Sequence, residues 1–282
     1  MNKIDWVEIP AGKFRSGLNK SQLNRIQKEL GKNFGKVLEL DLAHFDIAHR
    51  TVELPTFYIA RFPVTHAQMD AFFAQYPELK DLRVLPSRDA LPNFPEEASW
   101  HIADLFSHWI GGRLPTANEW EKAARGTNGW LYPWGNKWDA SRANITGSPN
   151  QPGYPEVAKD IIWSAKTPVD GYPSGVSPYG VWDLVGNVRE WTMTVKPLPN
   201  TRLEGFEVKG KSAKTSVEPV WYHHITAHER VVSAHDVPFY IGFRPVKDKW
   251  EPQLWSGFGT ASSEIAFSRV WENDEDVVYD DL

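Results

Sequence analysis

Two groups of residues in this sequence have types and spacing that could do chemistry. The run Asp183-Leu184-Val185-Gly186-Asn187-Val188-Arg189-Glu190-Trp191 sets two carboxylates around a glycine-containing turn, where backbone carbonyls can face the same point. Hard cations such as calcium take roughly six to eight oxygens, mixing carboxylates with carbonyls, and this segment can supply several. A helix N-terminus with an acid in its first turn is the competing reading of the same spacing. The second group lies between Trp221 and Tyr240, where His223, His224, His228 and His235 accompany Glu229 and Asp236. On a helix, His224 and His228 would share a face suited to one transition-metal ion. The stretch also contains Val231-Val232 and no capping signal, so a polar surface loop without a metal is the alternative. His44, His49, His101 and His108 read as structural, the last two on the polar side of a helix. Cysteine is absent from all 282 residues, which excludes disulfides, thiolate metal sites and a cysteine nucleophile.

The elements available to position these groups are short and clearly punctuated. Thr65 with Gln68 has the form of a capping box, and Met69, Phe72, Phe73 and Tyr76 then repeat at helical spacing until Pro77. Ser99 heads a second helix carrying Ile102, Leu105, Phe106 and Trp109 before Gly111-Gly112. Thr116 and Glu119 form another capping box, with Pro115 ahead, Trp120, Ala123 and Ala124 inside, and Gly126 as the stop. Leu23, Ile26 and Leu30, ended by Gly31, suggest one more helix in an otherwise polar segment, 18–50. From Gly126 to Gly180 almost no periodicity is sustained, and the chain reads as a long ordered loop. Such a loop needs aromatic packing or a bound ion to hold it. Trp130, Tyr132, Trp134, Trp138, Trp163, Tyr172, Tyr179 and Trp182 supply the first.

Composition narrows the class. A hydrophobic fraction of 41% with 14 Trp, 14 Phe and 9 Tyr can build a core and excludes disorder and coiled coil. The net charge is −5, yet six acids lie in Glu272–Leu282, which leaves 31 basic and 30 acidic residues in 1–271. A near-neutral body gives no nucleic-acid footprint, and the acidic end reads as a solvated terminus. The charged N-terminus leaves no room for a secretory signal, and no run of apolar residues is long enough to span a membrane. A cytoplasmic protein is therefore expected.

Many segments in order resemble the formylglycine-generating enzyme, or sulfatase-modifying factor, family. They include Trp6-Val7-Glu8-Ile9-Pro10-Ala11-Gly12-Lys13-Phe14, similar to its opening strand, and Phe57-Tyr58-Ile59-Ala60-Arg61-Phe62-Pro63-Val64-Thr65. Gly112-Arg113-Leu114-Pro115-Thr116-Ala117-Asn118-Glu119-Trp120-Glu121-Lys122-Ala123-Ala124-Arg125-Gly126 is the most specific. Tyr132-Pro133-Trp134-Gly135, Asn144-Ile145, Thr167-Pro168-Val169, the run from Tyr179 to Trp191 and Gly242-Phe243-Arg244 complete the set. The resemblance divides the chain into a family domain, 1–246, with a polar insertion, 18–50, and a tryptophan-containing appendage, 247–282.

The resemblance implies an α+β, loop-rich, C-type-lectin-like single domain with short twisted sheets and few helices. It also implies calcium. One site would use the side chains of Asn144 and Asp160 with the carbonyls of Ile145 and Ile162. The other would use Asp183 and Glu190 with the carbonyls of Gly186 and Val188. Metal-free polar turns are the alternative in both places. The family's enzymes bind copper through two thiolates, three and eight residues after the Ser of a Gly-Gly-Ser turn. Here Lys209-Gly210-Lys211-Ser212 stands in that place, and counting on reaches Thr215 and Val220. Neither can bind Cu(I), which selects soft sulfur, so formylglycine formation by the family's chemistry is not expected.

Two functions follow. In the first, Thr215, Val220, Trp221, Tyr222, His223, His224, His228 and His235 line a surface over 215–240 that recognises a protein or a small molecule. Cysteine-free relatives of this kind include the variable receptors of diversity-generating retroelements. In the second, histidine-held iron supports an oxidase or sulfoxide-synthase-like reaction. Docking into a larger assembly through Trp250, Trp255 and Trp271 is a third possibility.

Overall fold

The computed structural model describes residues 3–30, 49–84, 91–145, 166–198, 203–213, 226, 230–234 and 240–248. Strand β1 (Trp6–Ile9) pairs antiparallel with β4 (Phe57–Ala60), Trp6 facing Ala60 and Ile9 facing Phe57. Strand β9 (Val246–Lys247) joins the far side of β4, so the end of the family domain closes on its beginning. The opening segment is not one strand. Pro10, which has no N–H to donate, follows β1, and Gly12 turns the chain at φ +126°. Strand β2 (Gly12–Ser16) then pairs with β3 (Arg50–Leu54) in a sheet of their own. The third sheet has the order β7-β6-β5-β8. Its centre, β5 (Arg189–Pro197), pairs antiparallel with β6 (Glu204–Lys209) and parallel with β8 (Ile241–Gly242). Strand β7 (Arg230–Val232) completes it beyond β6.

The helices start and stop where the sequence marks them. Helix α1 (Lys20–Leu30) carries the Leu23, Ile26 and Leu30 pattern. Helix α2 (His66–Gln75) begins at the Thr65/Gln68 capping box, and Ser99 caps α3 (Trp100–Trp109) by accepting from the Ile102 N–H. Helix α4 (Ala117–Arg125) has the second capping box, with the Thr116 N–H donating to Glu119 at 2.7 Å, and ends at Gly126 with φ +64°.

Two apolar clusters hold these layers together. Phe72, Phe73, Ile102, Phe106, Trp191 and Phe243 fill the space between α2, α3 and the third sheet. Phe72 meets Phe106 and Trp109 edge-on, with centroids 5.7 and 5.4 Å away. Val7, Ile9, Phe57, Ile59, Trp120 and Val246 form the second cluster, between the first sheet and α4. The described parts of the 126–180 loop contain only two 3-10 turns, Ala140–Arg142 and Pro173–Gly175. Aromatic packing holds the part of this loop around Tyr132, Trp134 and Trp138, while Trp163 lies outside the described residues. Tyr132 lies 5.6 Å from Trp134 and 5.1 Å from Trp138, and both indoles pack on Ala143, Ile145 and Val185. Among the described residues no helix is long and apolar enough to cross a membrane.

Candidate functional site

The Asp183–Glu190 segment is a turn, not a helix start. Asp183, Gly186 and Asn187 have φ of 56°, 86° and 61°, and three left-handed residues in five fold the chain sharply around one point. At Gly186 the reason is contact as well as φ. A Cβ there would lie 2.4 Å from the carbonyl oxygen of Asn144, against which Gly186 forms a parallel bridge. Asn187 is the hub. Its N–H donates to the Asn144 carbonyl (2.9 Å), and its Nδ2 donates to the Thr167 carbonyl (3.1 Å) and to Asp183 Oδ2 (2.9 Å). Its Oδ1 accepts from the Thr167 N–H (3.0 Å) and from Asn144 Nδ2 (3.2 Å). Three loop segments distant in sequence are thus joined through one amide side chain.

The two carboxylates of the turn are in different electrostatic states. Glu190 is buried and fully engaged: Arg244 reaches it with Nε and Nη2 at 2.6 and 2.7 Å, and Trp120 Nε1 donates to it at 2.6 Å. The same guanidinium also donates to the carbonyls of Ala60, Arg61 and Trp182. Asp183 is also buried, but the Asn187 side chain that donates to it is a neutral amide. Burial pushes its carboxyl up to about 7, against the opposing influence of Asn187 and Arg244, while Glu190 and Asp170 push the same way as burial. A carboxyl made this basic by desolvation is one that a hard cation would relieve. Asp183 is therefore the residue of this turn at which a bound cation would offset the cost of burial. At Glu190 an internal cation, Arg244, already balances the charge, and a calcium ion would share that carboxylate.

Asn144 and Ile145 are buried against this turn. Asp160 and Ile162, the other residues expected at the first calcium site, lie outside the described residues. So do Thr215, Val220, Trp221, Tyr222, His223, His224, His228 and His235. The flanks of that expected recognition segment are described, and backbone groups fix them. The Ala213 N–H donates to the Asn187 carbonyl (2.9 Å), and the Arg189 N–H donates to the Tyr240 carbonyl (2.9 Å). Between them, buried Thr226 donates through N–H and Oγ1 to the Leu131 carbonyl, both at 3.1 Å. Leu131 also borders a cavity of about 240 Å³ lined by side chains such as Asn19, Gln22, Arg25, Asn128 and Asn136. Among the described residues no three His, Asp or Glu side chains gather as a metal site.

Sequence reasoning missed the buried ion pairs. His66, Arg83 and Glu96 form one group, in which Arg83 donates to Glu96 at 2.8 and 2.9 Å and the His66 ring contacts the same carboxylate. Glu121 joins another with Arg125 and Lys209, and Lys209 reaches on to Glu207 at 3.3 Å. The spacing of Glu121 and Arg125, one helical turn apart, is the one local signal among them.

Comparison with known proteins agrees with this architecture. Residues 2–249 match the profile of the sulfatase-modifying factor enzyme 1-like domain. Over 95 residues the chain is 44% identical to the "Inactive C-alpha-formylglycine-generating enzyme 2" of Bos taurus, covering 33% of this chain and 30% of that protein. The chain thus spans about a third of the length of such relatives. Its fold is similar to that of PvdO from Pseudomonas aeruginosa, with TM-score 0.61 and 19% identity over 86% of this chain and 93% of that one. It is also similar to Treponema denticola variable protein 1, with TM-score 0.58 and 16% identity over 86% and 95%. With the domain profile matched over nearly its whole described length, the chain belongs to the sulfatase-modifying factor family and has the loop-rich α+β fold of that family.

Proposed function

We propose that this chain has kept the family scaffold without its formylglycine chemistry, and acts as a calcium-stabilised module that binds a protein or small-molecule ligand through residues 215–240. The observation that carries this reading is Thr215 and Val220 at the two copper-thiolate positions of a chain without cysteine. The name of the bovine relative, an inactive enzyme, supports the same direction. Attachment of the segment by backbone hydrogen bonds at Ala213, Thr226 and Tyr240 supports it further. The bonds at Ala213 and Tyr240 are backbone bonds, indifferent to side-chain identity, and Thr226 adds its hydroxyl to the third. Trp221, Tyr222 and the four histidines offer large, stiff surfaces with polar tips. Calcium would be held by Asp183, Glu190 and the carbonyls of Gly186 and Val188, where it supplies the positive charge that Asp183 lacks.

Incubating the full chain with Cu(I), oxygen and a cysteine-containing peptide substrate of the family's enzymes should yield no formylglycine; turnover would overturn the reading. Replacing Trp221 and Tyr222 together by Ala should move Tm by no more than about 2 °C, as for surface substitutions of about 0.5 kcal/mol or less. A fall of about 10 °C would place those side chains in a core and remove the recognition surface.

A further inference from the structure

Helix α1 belongs to the polar segment 18–50 that interrupts the family pattern, and with the loop after α4 it forms the cavity of about 240 Å³ that Leu131 borders. The lining side chains include Asn19, Ser21, Gln22, Arg25, Asn128 and Asn136. Among the described residues, no Asp or Glu lines it, and Arg25 is the one charged side chain on its wall.

The backbone decides which atoms these amides have left to offer. A main-chain N–H can meet only an oxygen, so each such bond fixes the orientation of the amide that accepts it. Asn19 Oδ1 accepts from the Gln22 N–H (2.9 Å), Gln22 Oε1 from the Asn19 N–H (3.0 Å), and Asn136 Oδ1 from the Leu131 N–H (3.0 Å). Gln22 Nε2 donates to the Gly129 carbonyl at 2.8 Å. Nδ2 of Asn19 and Nδ2 of Asn136 remain, and among the described residues neither meets an acceptor. What is left facing a ligand is mainly donors.

The two walls are tied to each other. Buried Arg125 donates to the carbonyls of Gly17 (2.8 Å), Gly129 (3.0 Å) and Trp130 (2.6 Å), which joins the chain entering α1 to the loop opposite. Gly129 stands at φ +64°, where a Cβ would lie 2.9 Å from the Arg15 carbonyl oxygen. Walls held in this way leave little ordering for a ligand to bring about.

We infer that this cavity binds an oxyanion, the carboxylate or phosphate group of a small molecule, through the Arg25 guanidinium and Nδ2 of Asn19 and Asn136. A guanidinium has five N–H donors in a fork that matches either group, so a contact elsewhere does not exhaust it. A metal cation would need carboxylates, which the described wall lacks. A sugar hydroxyl needs an acceptor as well as a donor, and the oxygens of Asn19, Gln22 and Asn136 are engaged. The site lies outside 215–240 and stands whether or not that surface binds a ligand.

Titrating the isotope-labelled full chain with inorganic phosphate, and separately with acetate, at neutral pH and constant ionic strength should shift the side-chain amide NMR signals of Asn19 and Asn136 saturably. The tighter of the two identifies the group. No saturable shift with either anion would overturn the inference, and so would an equal response to glucose. Asn19→Asp and Asn136→Asp each keep the oxygen that the backbone uses and replace the free NH2 by an acceptor. Each should leave Tm within about 2 °C of the parent and weaken the tighter anion at least about tenfold, read on the amide that remains. Parent affinity in both variants would refute the assignment. If either change lowers Tm further, Arg25→Gln on the exposed side of α1 decides: a loss of about tenfold supports the site, and unchanged affinity overturns it.

Discussion

Asp183 couples the state of the turn to pH, and the direction can be worked out. The carboxyl is held at about 7 in the folded chain, against an ordinary value of 3.8, chiefly because burial disfavours its charged form. The folded protein therefore binds this proton more tightly than the unfolded chain does. The stability it contributes is fully present below about pH 4 and is lost as pH rises through about 7, by up to about 4 kcal/mol at about 1.4 kcal/mol per pH unit. Asp183→Asn removes the titration and leaves an oxygen to accept from Asn187. In EGTA, urea unfolding should show the variant gaining on the parent between pH 5 and pH 8 by a few kcal/mol. Glu96 and Glu121 are held below the usual carboxylate range by their cationic partners, so they lose stability at the acid end and slope the other way. Taking the variant-minus-parent difference cancels them. In millimolar calcium the parent should recover at pH 8 and the variant should not, because the cation binds the ionised carboxylate. If the two proteins keep a constant stability difference from pH 5 to pH 8 in EGTA, Asp183 is not the desolvated acid described here.

The remaining expectations concern the scaffold. Arg244→Leu leaves Glu190 buried without a cation and should cost about 3–5 kcal/mol in urea unfolding, and adding Glu190→Gln should restore part of that loss; a double variant as unstable as the sum of the single changes would show that the pair is not coupled. Gly186→Ala drives a Cβ onto the Asn144 carbonyl at a φ of 86° and should destabilise by more than about 2 kcal/mol, read as a loss of Tm. Thr116→Ala removes one half of a capping box and should cost about 1 kcal/mol, measured by denaturant unfolding.

The sequence made the local features legible because short-range chemistry fixes them. Thr65/Gln68 and Thr116/Glu119 satisfy the free N–H groups of their own helices within three residues, and Gly126 is at a backbone angle that few other residues tolerate. The loop aromatics were also readable, since Tyr132, Trp134 and Trp138 lie close together in the chain and can pack on one another. The division of the opening segment at Pro10 into strands of two different sheets was less plain, because the two partners, β4 and β3, lie more than 30 residues away. Arg244 is the clearest omission. Its Gly-Phe-Arg setting marks a family position, but nothing nearby says that its partners are Glu190 and carbonyls as distant as Ala60. Long-range pairing of charge leaves no periodicity, whereas helices and turns do.

The position of Asn187 explains how loop segments distant in sequence are held together as one unit beside β5. Its side chain joins Asn144, Thr167 and Asp183, and its carbonyl receives the Ala213 N–H. On the return side, Arg189 takes the Tyr240 carbonyl, and β8 follows at once beside β5. Among the described residues, the junction is fastened at Ala213 and at Tyr240, and Thr226 adds a link to Leu131.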